Sequence, residues 1–388
     1  MPLDLNYTNQ QKVFREDVRK WMEANVPRQR LKTLECREGF EQHREWERVL
    51  QSGDWGMVTW PKAYGGRGCD LIEWLIFEEE YYRVDAPLRV SQNGIFLLGP
   101  TLMEYGTPEQ KARFLPAMAA GDEIWAQAWS EPNAGSDMAA IRTKAVRDGD
   151  EYVISGQKIW SSRAVFADWC FTLVRTDPDS RRHKGLSMIL LPLDSSGLTI
   201  RPIAQLDGNP GFAELFFDEV RVPVSNLLGP ENGGWGVAMA TAGFERGLML
   251  RSPARFQRTA ARLLELYRQR GDRASPGVRD RVLQAWLDAE AYCLSTYQTA
   301  SKIMAGGSIG AEASCNKIFW SELDREMHRL GMLLCGDSAE LTGESGRALD
   351  EGRWLDGYMF SLAGPIYAGT NEIQRNIIAE RLLGMPRG

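Results

Sequence analysis

Apolar positions along the chain repeat with a helical period, then an alternating one, then a helical one again. Thr8, with Gln11 three residues later, forms a capping-box signature, and Val13, Val18, Trp21 and Met22 follow as an apolar stripe. A helix through about Glu23 is expected, with further helices over 40–52, 71–82, 97–105 and 108–120. The glycine-rich segment Trp60-Pro61-Lys62-Ala63-Tyr64-Gly65-Gly66-Arg67-Gly68 interrupts them. It lacks the Lys-Ser/Thr ending of a phosphate-binding P-loop and no strand precedes it, so it reads as a plain loop.

From Ile124 the pattern alternates, and strands are predicted over 124–129, 142–146, 151–159, 169–175, 186–193, 198–203 and 213–222. Asp148-Gly149 is a hairpin turn between the second and third. Short strands with no helical pattern between them indicate a compact antiparallel barrel or sandwich. The breaker cluster Gly229-Pro230-Glu231-Asn232-Gly233-Gly234 closes this region. Four long helices are then predicted over 235–269, 278–305, 309–334 and 365–383, the first broken near Pro253. The expected architecture is multi-domain α+β. A helical domain spans 1–122, a central antiparallel β domain 123–230 and a C-terminal four-helix bundle 231–388.

Composition narrows the class. With 43% hydrophobic and 25% charged residues, the 388-residue chain has the make-up of a soluble globular protein of two or three domains. A net charge of −6 argues against a nucleic-acid partner, which would need a basic face. The six cysteines form no C-x-x-C pair, and His43, His183 and His328 lie far apart, so neither a disulfide framework nor a metal site is expected. The N-terminal residues lack a basic start followed by an apolar core, and the apolar run near Met188–Pro192 is too short to span a bilayer. A cytoplasmic protein without membrane association is expected.

Chemistry enters with Trp129-Ser130-Glu131-Pro132-Asn133-Ala134-Gly135-Ser136-Asp137, where a strand end breaks into a polar loop. Pro132 fixes φ and Gly135 is free to take positive φ. Ser130, Ser136 and several backbone amides then cluster without a regular ladder, which can hold a polar ring edge or a phosphate. Taken alone, the segment also reads as an ordinary Pro/Gly turn. Three further segments stand with it in order: Gly156-Gln157-Lys158-Ile159-Trp160-Ser161-Ser162, Phe217-Asp218-Glu219-Val220-Arg221-Val222-Pro223, and Tyr367-Ala368-Gly369-Thr370-Asn371-Glu372-Ile373-Gln374. Together the four resemble the acyl-CoA dehydrogenase family over essentially the whole chain.

The resemblance implies FAD and a CoA thioester. It implies that Trp129 and Ser130 hold the pyrimidine end of the isoalloxazine, that Trp160 stacks near the flavin, and that Ser162 sits close to its N5. Ser136 matches a position near both flavin and pantetheine arm, and Thr370 and Glu372 match positions that contact FAD from the C-terminal domain. Tyr367 is a pocket-lining candidate, with Ser91, Gln92 and Phe244. Trp160 equally reads as core packing, which is compatible with stacking.

The implied reaction needs a carboxylate base for a weakly acidic proton α to the thioester, while a hydride leaves the β carbon for the flavin. Many members carry that base as Glu immediately before Gly-Thr in the last segment; here the residue is Ala368, whose methyl group takes no proton. Isovaleryl-CoA and long-chain members place it before Arg on the first helix of the C-terminal bundle, and Gly243-Phe244-Glu245-Arg246-Gly247-Leu248 resembles that arrangement. An arbitrary Glu-Arg pair is ordinarily a solvated helix face; the alanine at 368 reverses that reading. Glu245 is the expected base, and Arg246 shapes the pocket and the charge around it.

A second departure is the lack, around 268–276, of the Arg-x-x-Phe-Gly segment with which many members reach the FAD pyrophosphate of a neighbouring subunit. Some bacterial relatives, including those acting on steroid side chains and dicarboxylic or bulky acyl groups, share such departures, several as α2β2 assemblies. The resemblance thus implies a branched, long or bulky acyl-CoA, electron-transfer flavoprotein as electron acceptor, and a homo-oligomer (dimer or tetramer) or an α2β2 hetero-oligomer. Two alternatives stay open: an oxygen-reacting flavin oxidase or monooxygenase on the same fold, and a non-catalytic partner subunit of a heteromeric dehydrogenase.

Overall fold

The computed structural model describes residues 6–245 and 251–386. The chain divides into two compact units, each assembled from separate stretches of sequence: 25–69 with 87–245, and 1–24 with 70–86 and 246–388.

The first unit is built on a sheet. Its strands are β1 (Trp125–Ala128), β2 (Lys144–Asp148), β3 (Glu151–Ser162), β4 (Trp169–Arg175), β5 (Leu186–Pro192), β6 (Leu198–Ile203), β7 (Phe212–Pro223) and β8 (Leu227–Leu228). They run in the order β6-β7-β3-β2-β4-β5-β8, with β1 added beside β4. The Asp148-Gly149 hairpin forms as predicted, with Gly149 at φ 62°. β4 and β5 are apolar on both faces because helices and sheet cover both sides, and they read as continuous runs. The sheet is mostly antiparallel, but β1–β4 and β2–β4 pair in parallel. Alternation marks a strand's faces and carries no information about its direction, so this was not readable from the pattern. β8, two residues long, is too short to show any period.

Around the sheet lie α2 (Arg37–Ser52), α4 (Gly99–Tyr105), α5 (Pro108–Ala119) and α6 (Gly234–Glu245). Thr107 and Gln110 form a capping box that starts α5. The first residue of α6, Gly234, lies so close to β5 that a Cβ there would fall 2.5 Å from the Ser187 backbone. Only glycine permits this approach, and it fixes where α6 leaves the sheet.

The second unit is helical: α1 (Asn9–Asn25), α3 (Leu71–Arg83), α7 (Pro253–Arg270), α8 (Val278–Met304), α9 (Glu312–Cys335), α10 (Arg353–Ser361) and α11 (Asn371–Ile377). Thr8 and Gln11 exchange both capping-box hydrogen bonds, at 3.0 and 3.2 Å. α7, α8 and α9 pack on one another, α3 lies on α7 and α8, and α10 and α11 lean on α9. Phe256, Leu263, Tyr292, Trp320, Met327, Leu330 and Trp354 form the core. The span 235–269 is broken before Pro253, as expected, because proline is at home in the first turn of a helix and so opens α7. The span 365–383 becomes helical only at Asn371, because Ala368 (φ 58°) and Gly369 (φ 78°) hold a left-handed turn ahead of it. α10, which contains Gly357, was not anticipated.

Buried charge ties the helical unit together. Glu80, almost fully buried, pairs with Arg15, Arg19 and Arg83. Asp85 accepts two 2.7 Å hydrogen bonds from Arg258 and also pairs with Arg262 and Arg353. Burial alone would raise the Asp85 pKa; the Arg258 and Arg262 contacts outweigh it and hold the carboxyl at about 2. Since this lies below the ordinary value of 3.8, the stabilisation is fully present above about pH 4 and is lost as pH falls toward 2. Asp85→Asn is therefore expected to lower stability by about 2 kcal/mol at pH 7, a difference that shrinks toward zero at pH 2. Urea unfolding at the two pH values measures it, and a difference independent of pH would contradict the assignment.

Candidate functional site

The loop that follows β1 is fastened from below by one buried ammonium. Lys158, on β3, is 0% exposed, and its Nζ donates to the Trp129 carbonyl and to Glu131 Oε1, both at 2.9 Å. The Glu131 carboxylate also accepts from the backbone N–H groups of Arg142 (2.7 Å) and Thr143 (2.8 Å). Ile159 N–H donates to the Ser130 carbonyl at 2.9 Å, and Glu131 and Ala134 exchange backbone hydrogen bonds. Desolvation pushes the Lys158 pKa down to about 8 against the pull of Glu131. Burial pushes Glu131 up, but the Lys158 charge and the hydrogen bonds outweigh it and leave its pKa lowered. The ion pair therefore stays charged at neutral pH. The sequence reading quoted both residues inside motifs but gave them no role. The missed signal was a lysine in a strand that is otherwise half apolar, since lysine is almost never fully buried unless paired.

Two residues beyond Lys158 the strand breaks register. Lys158 pairs with Leu215 and Ser161 with Ala213, so three steps on β3 face two on β7 and one residue is extra. Trp160 sits in this bulge at φ 61°, with its indole 57% exposed and its edge against Phe212. Core packing is thus not what holds Trp160. A left-handed tryptophan costs on the order of 1 kcal/mol or more, which marks a constrained position. Ser161 points inward, and its buried Oγ has no hydrogen-bond partner among the described residues. Trp129 is buried, and its indole Nε1 likewise lacks a partner among the described residues. Ser162 is half-buried opposite Phe212.

Trp129, Ser130, Trp160 and Ser162 are thus brought together at the β1–β3 junction. Ser136 stands exposed in the bend beyond Ala134, next to the Asp137–Arg182 ion pair. An exposed aromatic face beside an orphaned indole donor and half-buried hydroxyls fits a flat heteroaromatic ring with polar edges, and so fits a flavin.

In the helical unit, Tyr367 is half-buried and stacks on Trp320 at 6.0 Å and 28°. The following turn is rigid. Gln374 Nε2 donates to the carbonyls of Ala368 and Gly369, both at 3.2 Å. Thr370 Oγ1 accepts from Ile373 N–H at 3.2 Å and so caps α11. Buried Asn371 accepts from Lys317 Nζ at 2.8 Å. Glu372 is exposed in the first turn of α11. Glu245 is the last residue of α6; its side chain, and Arg246 entirely, lie outside the described residues.

Three family models match in succession: acyl-CoA dehydrogenase, N-terminal domain, over residues 8–122; middle domain, over 126–220; and C-terminal domain, over 232–383. The chain is 42% identical to acyl-CoA dehydrogenase IpdE1 of Mycolicibacterium smegmatis, over 96% of this chain and 97% of that one. It is 40% identical to acyl-CoA dehydrogenase IpdE1 of Mycobacterium tuberculosis, over 96% and 97%. Among solved structures it resembles the Tcur3481-Tcur3483 steroid ACAD, with a TM-score of 0.89, 32% identity and 100% of both chains covered. It also resembles the ChsE4-ChsE5 complex from Mycobacterium tuberculosis, with a TM-score of 0.83, 34% identity and 100% of both chains covered.

The Lys158 clamp has a direct consequence. Lys158→Met leaves Glu131 buried without its cation and is expected to lower unfolding free energy by about 3–5 kcal/mol. Adding Glu131→Gln to that variant should recover part of the loss, because the uncompensated carboxylate is then gone. Denaturant titration of the single and double variants reads both numbers; a single-variant loss below about 1 kcal/mol would sink the clamp.

Proposed function

The chain belongs to the acyl-CoA dehydrogenase family, and from that membership we propose a FAD-dependent dehydrogenase of a branched, long or bulky acyl-CoA in which Glu245 is the catalytic base. The assignment of the base rests on one observation: position 368 carries a methyl group in a left-handed turn, so the Tyr367–Gln374 segment supplies no proton acceptor there. Glu245, at the end of α6 and followed by Arg246, is the carboxylate that the sequence offers instead.

Bound FAD supplies the two-electron acceptor for the β hydrogen. The residues that would hold it are Trp129, Ser130, Ser136, Trp160 and Ser162 of the sheet unit; Thr370 and Glu372 are separately carried over as cofactor contacts from the family resemblance. The exposed indole of Trp160 would offer a flat ring an apolar face, and the Trp129 Nε1, without a partner among the described residues, would offer a donor. Ser136, Tyr367 and Arg246 are carried over, each from its own motif, as candidate contacts to the thioester substrate. Glu245 accepts the α proton; the C–H electron pair it leaves becomes the new C=C bond as the β hydrogen departs with its own pair. The product is the trans-2-enoyl thioester, and the electrons pass to electron-transfer flavoprotein. Two things support a bulky acyl group. The space beside Ala368 is not filled by a glutamate, and a steroid ACAD is among the similar structures.

Association with other chains has support in the surface. Leu283, Trp286, Leu287 and Leu294 are exposed on α8 at helical spacing and form an apolar stripe. Both similar structures named above carry two protein names, Tcur3481-Tcur3483 and ChsE4-ChsE5. A homo-oligomer or an α2β2 assembly covering this stripe is the corresponding proposal.

For the base, the experiment is anaerobic mixing of FAD-loaded protein with a panel of straight, branched and steroid-type acyl-CoAs. Wild type is expected to bleach with at least one, and Glu245→Gln, with FAD still bound, about a thousandfold more slowly. Equal rates in the two proteins would refute the assignment. Rapid reoxidation of the bleached enzyme by air would favour an oxidase, and yellow cofactor retained by the purified chain would count against a non-catalytic subunit. For the assembly, Trp286→Glu with Leu287→Glu is expected to lower the sedimentation coefficient; an unchanged value would remove α8 from the interface.

A further inference from the structure

α6 has little of its own to set its register. Half of its residues are small: Gly234, Gly236, Ala238, Ala240, Ala242 and Gly243. Small residues give a helix low ridges, so apolar packing alone defines its rotation and height weakly. α6 packs on β5, on α4 and on the segment just before α4. Its first end is fixed where Gly234 lies flush on the Ser187 backbone. Further along, Thr241 supplies a second fixed point, with its Oγ1 2.9 Å from Thr101 Oγ1 on α4. Both threonines are 1% exposed. Each hydroxyl also reaches a carbonyl of its own helix, Thr241 to Val237 at 2.8 Å and Thr101 to Leu97 at 2.7 Å. The two hydroxyl protons are both used when one hydroxyl donates across the gap and the other donates to its own carbonyl.

Thr101 is itself held in place. The residues before α4, Asn93–Leu98, form a π-helix, an uncommon turn that recurs at functional sites. Gly99 N–H reaches back to the Gly94 carbonyl, five residues earlier. The next link of that series would join residue 100 to the Ile95 carbonyl, but Pro100 has no N–H. The indole Nε1 of buried Trp60 donates to that carbonyl instead, at 3.2 Å. Gly99 makes room for the same ring, since a Cβ there would fall 2.2 Å from Trp60 Cζ2. The glycine-rich segment 60–68, which reads as a plain loop in the sequence, thus opens with the residue that closes the wide turn ahead of Thr101.

We infer that Thr101 and Thr241 are positioning residues for the reaction: their hydroxyl pair sets the rotation and height of α6, and so the place of its last residue, Glu245. This rests on the reading of Glu245 as the base. Glu245 follows Thr241 by four residues, so its Cα lies on the same face of α6, one turn further on. A helix with its side chains is about 10–12 Å across, so turning α6 by about 10° moves a side-chain tip by about 1 Å. A displacement of about 1 Å from the reacting geometry costs on the order of a hundredfold in rate. Two valines of the same shape would fill the gap between α4 and α6 at almost no cost in stability, because no polar partner is left unsatisfied. What they would not supply is a directional contact.

The test is stopped-flow reduction of the FAD-loaded enzyme under anaerobic conditions, with the member of the straight, branched and steroid-type acyl-CoA panel that reduces wild type fastest. Thr101→Val with Thr241→Val is expected to keep FAD and an unchanged denaturation midpoint, and to bind the thioester within about twofold of wild type, yet to be reduced about tenfold more slowly or less. Thr101→Ser with Thr241→Ser, which keeps both hydroxyls, should be reduced within about threefold of the wild-type rate. If the double valine variant does not fold, Thr241→Val against Thr241→Ser carries the same comparison. Added to Glu245→Gln, the valine pair should cause no further loss, because its effect runs through the base. A wild-type rate in the valine variants, or an equal loss in the serine variants, overturns the positioning role and leaves the base standing. Glu245→Gln reduced as fast as wild type refutes the base whatever the threonines do, and this inference with it. Reduction of wild type by no member of the panel overturns the acyl-CoA reading and both of these.

Discussion

Most of what is specific about the sheet follows from burying one ammonium group. Lys158 cannot be left uncompensated in an apolar strand, and it is answered by Glu131 and by the carbonyl of Trp129, both on the loop after β1. The same carboxylate reaches the backbone of Arg142 and Thr143. One ion pair therefore holds β1, β3 and the chain entering β2 to each other. Such pairs contribute little net free energy compared with apolar residues of the same size. What they give is definition: a loop containing proline and glycine, with an exposed serine, has one conformation because a charge beneath it has one solution.

The clamp also sets the direction of Trp160. Along a regular strand, residues two apart share a face, so an inward Lys158 would send residue 160 inward as well. The extra residue of the bulge reverses that parity. Ser161 goes in, and the largest side chain of the segment goes out. The exposed indole follows from where the bulge falls relative to the inward lysine. Sheet and bundle solve their problems differently. In the helical unit, rigidity at the Ala368 turn comes from neutral donors, with Gln374 closing it and Thr370 starting the next helix.

The layout was largely legible in the sequence, for physical reasons that also explain the misses. Helix starts with a capping box, at Thr8 and Thr107, are local chemistry and appear where the sequence puts them. The alternating strands were found because period two is a property of each strand alone. Strand direction, the parallel β1–β4 pairing and the order of the sheet depend on partners far away in the chain and left no local trace. The same holds at the site. Trp129, Ser130, Trp160 and Ser162 stood in recognisable motifs, whereas Lys158 and Glu131 were passed over because their role exists only once two strands are adjacent.

Backbone strain offers an independent view of where function is concentrated, provided the residue type is weighed. Several non-glycine residues take positive φ, among them Asp54, Asp85, Asn232 and Asp350. Short polar side chains of this kind hydrogen-bond locally and tolerate the left-handed region, so they need no further reason to be there. Arg163, Arg182, Glu219 and Glu351 lack that reason, and so do Trp160 and Ala368, of which an indole is too bulky to be at ease there and a methyl group gains nothing from it. The last two conformations persist because neighbours over-determine them, a β-bulge in one case and a closed turn in the other. These two positions fall within the second and fourth of the segments on which the family resemblance rested. A strained backbone that serves only folding would be relieved at little cost by glycine. That tryptophan and alanine stand there instead, one exposing a ring and the other withholding a carboxylate, ties the strain to what the side chains do.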